Sequence, residues 1–517
     1  MAQNNSDPLH ASPARRWSNR ILAASLFGIL FFTLFPYWID FSQKHSPGRS
    51  VFLLSRSLGF DGFLHTSLNA LLFMPFGLAL WQFFSTRKKS LLRSIAAALV
   101  AGVAVSYSIE ILQLYMPSRD SAWDDVIANT LGTLIGTFLG AGVGNFIFRK
   151  LSECERHVER FLSLRKIFIA ALIYFAAWLA ISVPLQKKTR LDNWDPNSFL
   201  FVGYDARDDT RWSGSVSRIQ LWDHALTADQ AAAISKNADA SAGIPSPLAS
   251  YDLSHLPPIP DKNGALPNLV LNPPSSLPAT TRLVRKLEAG PVFMSDGTVP
   301  SLSANVRRTN QFAVLIRCVP LSGNDSDGAI FAIANPVGKV NFAIRQINST
   351  VGISFRTALE SRKAFLSWQT DDVFTANVGR SFLYSYDGAR GSLHIDGNGV
   401  PESDYLSPGA GLVSEFIRIK TSELVAYAVL YESLVFIPIG FLLGLAGRDI
   451  ANHSTLYKVG IAACIILPAI LLETALVSVS GRPPSMLQLF TSIGLTIAGM
   501  IWINLDSPAS SSEALYN

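Results

Sequence analysis

Residues 71–77 read LLFMPFG and residues 434–440 read LVFIPIG, and the two stretches stand 363 residues apart. The offset holds without a gap through 108–120 (SIEILQLYMPSRD) and 471–483 (LLETALVSVSGRP). Pro75 thus meets Pro438, Gly77 meets Gly440, Glu110 meets Glu473, Arg119 meets Arg482 and Gly136 meets Gly499. Apolar segments resemble one another by composition alone, but a Glu and an Arg repeated in one register do not. The pattern predicts a membrane unit present twice, with the region between the copies carried as an insertion.

Composition points the same way. Apolar residues make up 49% of the chain and charged residues 16%, with a mean hydropathy of +0.28; a soluble chain carries roughly 25% charge. About 20 mostly apolar residues are needed to cross the hydrocarbon core. Eight stretches qualify: 21–39, 64–84, 94–114, 126–148, 167–185, 424–446, 459–479 and 486–504. The first follows Arg15, Arg16 and Arg20 and precedes no small-residue cleavage site, so it reads as an anchor and not as a removed signal peptide.

Basic residues crowd cytoplasmic loops. With the N-terminus inside, those loops hold Arg87, Lys88, Lys89 and Arg93, then Arg149, Lys150, Arg156, Arg160, Arg165 and Lys166. This predicts both termini in the cytoplasm, with the long segment after the fifth helix outside. It also accounts for the net charge of +5. No basic stripe with interleaved aromatics supports a nucleic-acid partner. Cys154, Cys318 and Cys464 fall in a cytoplasmic loop, the outer segment and a helix, with no metal-ligand spacing, so no disulfide is expected.

The outer segment changes character. QFAVLIRCV (311–319), KVNFAIRQI (339–347) and VGISFRTAL (351–359) are short and rich in β-branched and aromatic residues. Turn signals stand at Asp387-Gly388 and Asp396-Gly397. In WSGSVSRIQLWDHALTADQ (212–230) a strand leads into a helix, with Thr227 and Gln230 as a capping box. Many short strands predict an all-β sandwich over 190–418, with the Pro- and Ser-rich stretch 240–300 as a long connection.

Two strings in this segment, YDGARGSLHIDG (386–397) and residues 212–230, resemble the LamG-like, concanavalin A-like jelly-roll domains. In that family the second string closes the domain, whereas here it opens it, which implies circular permutation; a sandwich whose ends lie close together tolerates this. The flanking membrane units resemble the VanZ-like family. The carrying residues are Asn69 to Gly77 (NALLFMPFG), Glu110 to Gln113 (EILQ), Pro117-Ser118-Arg119, and Asp125 to Asn129 (DVIAN) followed by Gly132 and Gly136. The second copy keeps Pro438, Gly440, Glu473, Arg482 and Gly499, but holds Glu432 for Asn69, Gln488 for Asp125 and Ser492 for Asn129.

The resulting domain reading is a cytoplasmic N-terminus (1–20), a first four-helix VanZ-like unit (21–150), a basic loop (151–166), the first helix of a degenerate second unit (167–185), the sandwich (190–418), the remaining helices (424–504) and a cytoplasmic tail (505–517). What these resemblances imply is an envelope role. The VanZ-like founding member is associated with teicoplanin resistance, and LamG-like domains mostly bind carbohydrate or protein, sometimes with calcium.

The residues say where chemistry would lie. Asp61, His65 and Asn69 are spaced four apart and share a helix face, as do Asp125 and Asn129. Glu110 and Gln113 share a face of the third helix. With Arg119 these residues form an expected polar pocket at the outer mouth of the bundle, whose second-copy counterparts are Glu432, Glu473 and Arg482. An ionisable group within a spanning helix costs several kcal/mol unless paired, so Glu110 is expected to meet Arg119 or another donor. Recurrence of both charges favours a structural ion pair, above all for Glu473 and Arg482. Glu110 with Asp125 and Asn129 reads either as structural or as part of a site built on Glu110, Arg119 and Asp125. Gly132 and Gly136 make a small-xxx-small packing face.

In the outer segment Trp194, Trp212, Trp222 and Trp368 are candidates for stacking on sugar rings or for the core. Asp205, Asp208 and Asp209 are candidate calcium donors or a solvated acidic turn. Metalloprotease, phosphate-loop and nucleophile-elbow motifs are absent. The leading expectation is a non-enzymatic membrane protein that binds envelope or exported glycan through its sandwich and contacts lipid or lipid-linked glycan through its helices. The alternatives are an enzyme acting on a lipid-linked substrate at the pocket, and a protein-binding sensor or scaffold.

Overall fold

The computed structural model describes residues 13–34, 60–85, 90–116, 121–161, 163–208, 210–237, 243–271, 292–323, 327–359, 366–400, 404–415, 421, 424–446 and 454–504. Helices α1 (Pro13–Leu34), α2 (Phe60–Ser85), α3 (Leu91–Gln113), α4 (Trp123–Leu139), α5 (Asn145–Phe161) and α6 (Leu164–Lys187) precede a β region. Helices α7 (Ala228–Lys236), α8 (Pro300–Thr309) and α9 (Pro408–Val413) lie within it, and α10 (Leu424–Ala446), α11 (Thr455–Ser480) and α12 (Met486–Asn504) follow it.

Among the described residues, eight helical runs are long and apolar enough to cross a membrane. Each is close to the length that a rise of about 1.5 Å per residue requires for a core of about 30 Å, or exceeds it. The ends depart from expectation in two places. The first helix starts at Pro13 instead of residue 21, since proline suits a first helical turn; residues 35–39 lie outside the described residues. The fourth run does not stop at 148. It passes through a π turn at Gly140–Gly144 into α5, where Arg149 and Lys150 both reach Glu153, at 3.8 and 2.7 Å.

One compact unit falls within residues 1–176, 433–468 and 491–517. Its polarity is inverted relative to a soluble bundle. Leu71, Leu92, Val100 and Leu172 are more than half exposed, whereas Ser94, Ser106, Asn129, Thr133 and Thr137 are buried. Lipid is as apolar as leucine, so small and polar side chains bring such helices together.

Glycines decide how close they come. A Cβ on Gly77 would lie 1.9 Å from the Thr133 carbonyl oxygen, one on Gly132 2.1 Å from that of Ala70, and one on Gly136 2.0 Å from that of Met74. Backbone therefore touches backbone between α2 and α4. The same contacts recur between α10 and α12, where a Cβ on Gly440 would lie 2.1 Å from the Thr496 carbonyl oxygen and one on Gly499 2.5 Å from that of Ile437. One contact is inverted. Gly140 of the π turn faces the Trp81 side chain, but 363 residues later Gly444 stands at the tryptophan position and faces Ile503. Large and small have traded helices, which preserves the filled volume.

Helix α1 closes this unit with a buried cation. The Arg20 side chain is fully buried, donates from Nη2 to the Ile503 carbonyl at 2.6 Å and lies 5.1 Å over the Trp17 ring. Trp502 donates back to the Arg20 carbonyl at 2.9 Å. Ile503 belongs to the last turn of α12, where the carbonyl ends favour positive charge.

The second compact unit falls within residues 177–432 and 469–490. Its strands make two large antiparallel sheets and a small two-stranded one, Tyr204–Asp205 with Thr210–Arg211. One runs Leu366–Thr370, Thr350–Phe355, Val340–Ile347, Asp327–Ala334, Phe199–Val202, Phe293–Ser295, Leu269–Leu271. The other runs Asn398–Gly399, Arg390–Ile395, Arg380–Tyr386, Phe312–Pro320, Gly214–Trp222, Ala249–Asp252, with Asp404–Tyr405 paired beside Arg390–Ile395. The sheets share one core. Phe312, Tyr384 and Tyr386 of the second meet Phe342 and Phe355 of the first, with ring centroids between 5.0 and 6.1 Å apart.

Local sequence signals carry much of this region. Asp396 and Gly397 both have positive φ, 53° and 90°, as a two-residue hairpin with Ile395 opposite Asn398 requires. The Thr227–Gln230 capping box is formed in both directions at the start of α7. Residues 240–300 are not simply a connection. They supply strands Ala249–Asp252, Leu269–Leu271 and Phe293–Ser295, too short to show an alternating pattern.

Three of the four tryptophans are core. Trp194, Trp212 and Trp222 are at most 2% exposed, and each indole donates inward, to Arg356 O, Gln346 Oε1 and Pro245 O. Trp368 is half-buried and stacks on Phe355 at 5.0 Å. The acidic turn is ion-paired instead of merely solvated. Asp205 and Asp208 lie 3.2 and 2.9 Å from the Arg345 guanidinium, and Asp209 lies outside the described residues. Among the described residues no three ligating side chains gather as a metal site would need.

The β region leaves and re-enters the membrane helices at adjoining points. A Cβ on Gly411 of α9 would lie 2.5 Å from the Leu185 carbonyl oxygen of α6, and one on Gly409 1.9 Å from that of Tyr427 of α10. Lys188 pairs with Glu415 across the same gap.

Candidate functional site

Two polar clusters occupy matching positions 363 residues apart. In the first unit the loop after α3 folds back onto Glu110. The Ala122 amide donates to Glu110 Oε2 at 2.9 Å and the Ser121 hydroxyl to the Glu110 carbonyl at 2.9 Å, leaving the residue 2% exposed. One turn into α4, Asp125 accepts a hydrogen bond from Asn69 Nδ2 of α2 at 2.7 Å. Asn129, a turn deeper, donates to Ser106 Oγ of α3 at 2.9 Å. Gln113 donates to the Thr33 carbonyl of α1 at 2.7 Å.

Asn69, Glu110, Gln113, Asp125 and Asn129 thus gather at one end of α2, α3 and α4. Asp61 and His65 fall in the first two turns of α2, but their side chains lie outside the described residues, as does Arg119.

In the second unit Glu473 of α11 takes both terminal nitrogens of Arg482, at 2.7 and 2.6 Å, and also accepts from the Ser485 amide at 2.7 Å. Position 485 stands 363 residues after Ala122, so the backbone bond that ties Glu110 to its loop is repeated. It needs no particular side chain, and Ala and Ser serve alike. This is why sequence reading passes over it. Glu432 and Gln488 are hydrogen-bonded to each other and are both buried.

Side chains of the β region cover this second cluster. Arg390 lies 5.3 Å over the Tyr405 ring and donates to Ser485 Oγ at 3.1 Å. Tyr405 is buried, which pushes its phenol ionisation above the ordinary value, with the charges of Arg482, Glu432, Glu473 and Arg390 around it. The last carbonyls of α11 are then capped one by one. Arg190 donates to Val479 O, Asn310 Nδ2 to Ser480 O at 2.7 Å, and Gln311 Nε2 to Gly481 O at 2.7 Å. Asn310 adopts φ 57°, and Gly388 φ 102°, where a Cβ would meet the Ser480 carbonyl oxygen at 2.5 Å. No local pattern announces Asn310, Gln311 or Arg390 here, because their partners at the end of α11 and just beyond it lie 95 to 170 residues away.

Chemically, both clusters hold carboxylates by aimed donors, which suits binding and positioning. Residues 14–144 match the family model described as VanZ/LLP1. No curated protein and no solved structure matches the chain. The matched stretch spans α1 to α4 and holds Asn69, Glu110, Gln113, Asp125 and Asn129, so this part of a multi-pass membrane protein is VanZ-like.

Proposed function

We propose that the protein is a bacterial plasma-membrane envelope protein that binds envelope or exported glycan through an outward LamG-like domain. Its VanZ-like helices contact lipid or lipid-linked glycan, a role of the kind associated with teicoplanin resistance. The observation that carries the reading is the seating of a two-sheet β region on the end of a membrane helix. Asn310, Gln311 and Arg190 cap α11 while Arg390 and Tyr405 cover its Glu473–Arg482 pair. A recognition domain so held stays at the membrane surface, where a polymer and its lipid carrier meet.

The LamG-like reading is supported by the two quoted strings, which fall in one sheet, on Arg390–Ile395 and Gly214–Trp222, with Arg380–Tyr386 and Phe312–Pro320 between them. With three tryptophans in the core, the remaining aromatic platform is Trp368. Duplication of the membrane unit is supported by the repeated glycine contacts, the repeated Glu–loop amide bond and the repeated polar pair at 69/125 and 432/488.

The test is binding of the full-length protein in nanodiscs to an array of bacterial glycans and envelope fragments, with and without calcium. Saturable binding to one class, weakened by Trp368→Ala, is the expected result. Failure of a folded protein to bind any class sinks the glycan reading. A second reading, a protein-binding sensor, draws on the same α11 caps, which would carry a change in the β region to Glu473. An enzyme acting on a lipid-linked substrate would rest on Glu110, Arg119 and Asp125, and Glu110→Gln with Asp125→Asn would abolish its turnover.

A further inference from the structure

We infer that Glu432 holds a proton, and that its carboxyl group and the Gln488 amide form a closed pair joined by two hydrogen bonds. Both residues are more than nine-tenths buried, at 7% and 9% exposure, and Gln488 is already hydrogen-bonded to Glu432. Two oxygens of this pair remain without a hydrogen-bond partner, Glu432 Oε2 and Gln488 Oε1, and both are buried. An ionised carboxylate only accepts, and an amide oxygen only accepts. Left so, the pair would bury two lone-pair sets with no donor between them, which is unfavourable for each unsatisfied group. One hydrogen on Glu432 Oε2, donated to Gln488 Oε1, satisfies both atoms at once.

Among the described residues the surroundings supply no competing donor. Arg482 is spent on Glu473 through both terminal nitrogens, and the Ser485 amide is spent there too. Arg390 reaches Ser485 and the Tyr405 ring. Tyr431, next in the chain, bonds Ser182. Glu473, Tyr405 and Arg482 are the titratable groups facing Glu432, and the one positive charge among them, Arg482, is held by Glu473. An ionised carboxylate inside a spanning helix costs several kcal/mol unless paired, which the acid form avoids. The ligand of this site is therefore a single proton.

Infrared spectroscopy of the full-length protein in nanodiscs tests this. At neutral pH the wild type should show the carbonyl stretch of an un-ionised carboxylic acid, shifted down in deuterated water. Glu432→Gln should delete that band and keep the thermal unfolding temperature, because an amide–amide pair retains both hydrogen bonds. Gln488→Ala should move the band to higher frequency, since the acid loses its partner; this keeps the assignment independent of how well Glu432→Gln folds. Absence of any band sensitive to residue 432 or 488 overturns the proposal. So does stabilisation of the wild type by sodium at fixed ionic strength that Glu432→Gln loses, which would put a metal cation between the two oxygens.

Discussion

The amide of Asn69 donates to the carboxylate of Asp125 at 2.7 Å, joining α2 to α4. The same two helix positions 363 residues later hold Glu432 and Gln488, also hydrogen-bonded, with the acid and the amide exchanged and each lengthened by one methylene. What recurs is the pair and not the residue. The exchange variant Asn69→Asp with Asp125→Asn should therefore keep most of the stability that either single alanine loses. Each alanine should cost about 1 kcal/mol, the scale of an interhelical hydrogen bond in a membrane. Thermal unfolding in detergent compares the three. An exchange variant no better than the single variants would mean that the position of the charge matters.

Glycine contacts make a sharper contrast. Gly77→Ala and Gly440→Ala would drive a methyl group into a carbonyl oxygen, so each should destabilise by about 1–3 kcal/mol or more. Gly28→Ala, Gly460→Ala and Gly494→Ala meet nothing within 4 Å and should be neutral or mildly stabilising. Melting temperatures of the five variants, measured side by side, decide the matter.

The bidentate Glu473–Arg482 pair is nearly enclosed, with side-chain exposures of 12% and 4%. Removing one partner leaves a buried charge, so Glu473→Gln should cost about 3–5 kcal/mol. Glu473→Gln with Arg482→Met should recover part of that loss. If the double variant is as unstable as the single, the pair does more than neutralise itself.

The acid side of the pH profile has a marked histidine. His394 is buried, and desolvation of its ring lowers its ionisation below the ordinary value of 6.5. The folded group binds its proton less readily than the unfolded one. Its contribution is complete above the unfolded value and is lost as pH falls towards the folded one. As pH falls below the unfolded value of 6.5 the wild type should therefore lose stability relative to His394→Gln. Parallel slopes for the two proteins would remove His394 from the account.

The tryptophans separate folding from recognition. Trp194→Ala should destabilise the β region by about 3–5 kcal/mol, as for a large aromatic lost from a core. Trp368→Ala, which loses its stack on Phe355, should cost clearly less stability than Trp194→Ala and weaken glycan binding. Equal losses of stability would place Trp368 in the core with the others.

The amino-acid sequence alone determined the eight spans, the capped helix α7, the Asp-Gly hairpin and the 363-residue register. Each rests on signals within a turn or two of chain, or on a repeat that needs no partner to be seen. Helix length against membrane thickness and positive φ at Asp-Gly are local matters. Tertiary structure decided which tryptophan stays at the surface and how the short strands of 240–300 are used. It also brought Asn310, Gln311, Arg390 and Tyr405 onto the end of α11. Those outcomes depend on pairing between segments far apart in the chain. A buried donor takes whichever acceptor the fold presents, and nothing near it in the sequence says which that will be.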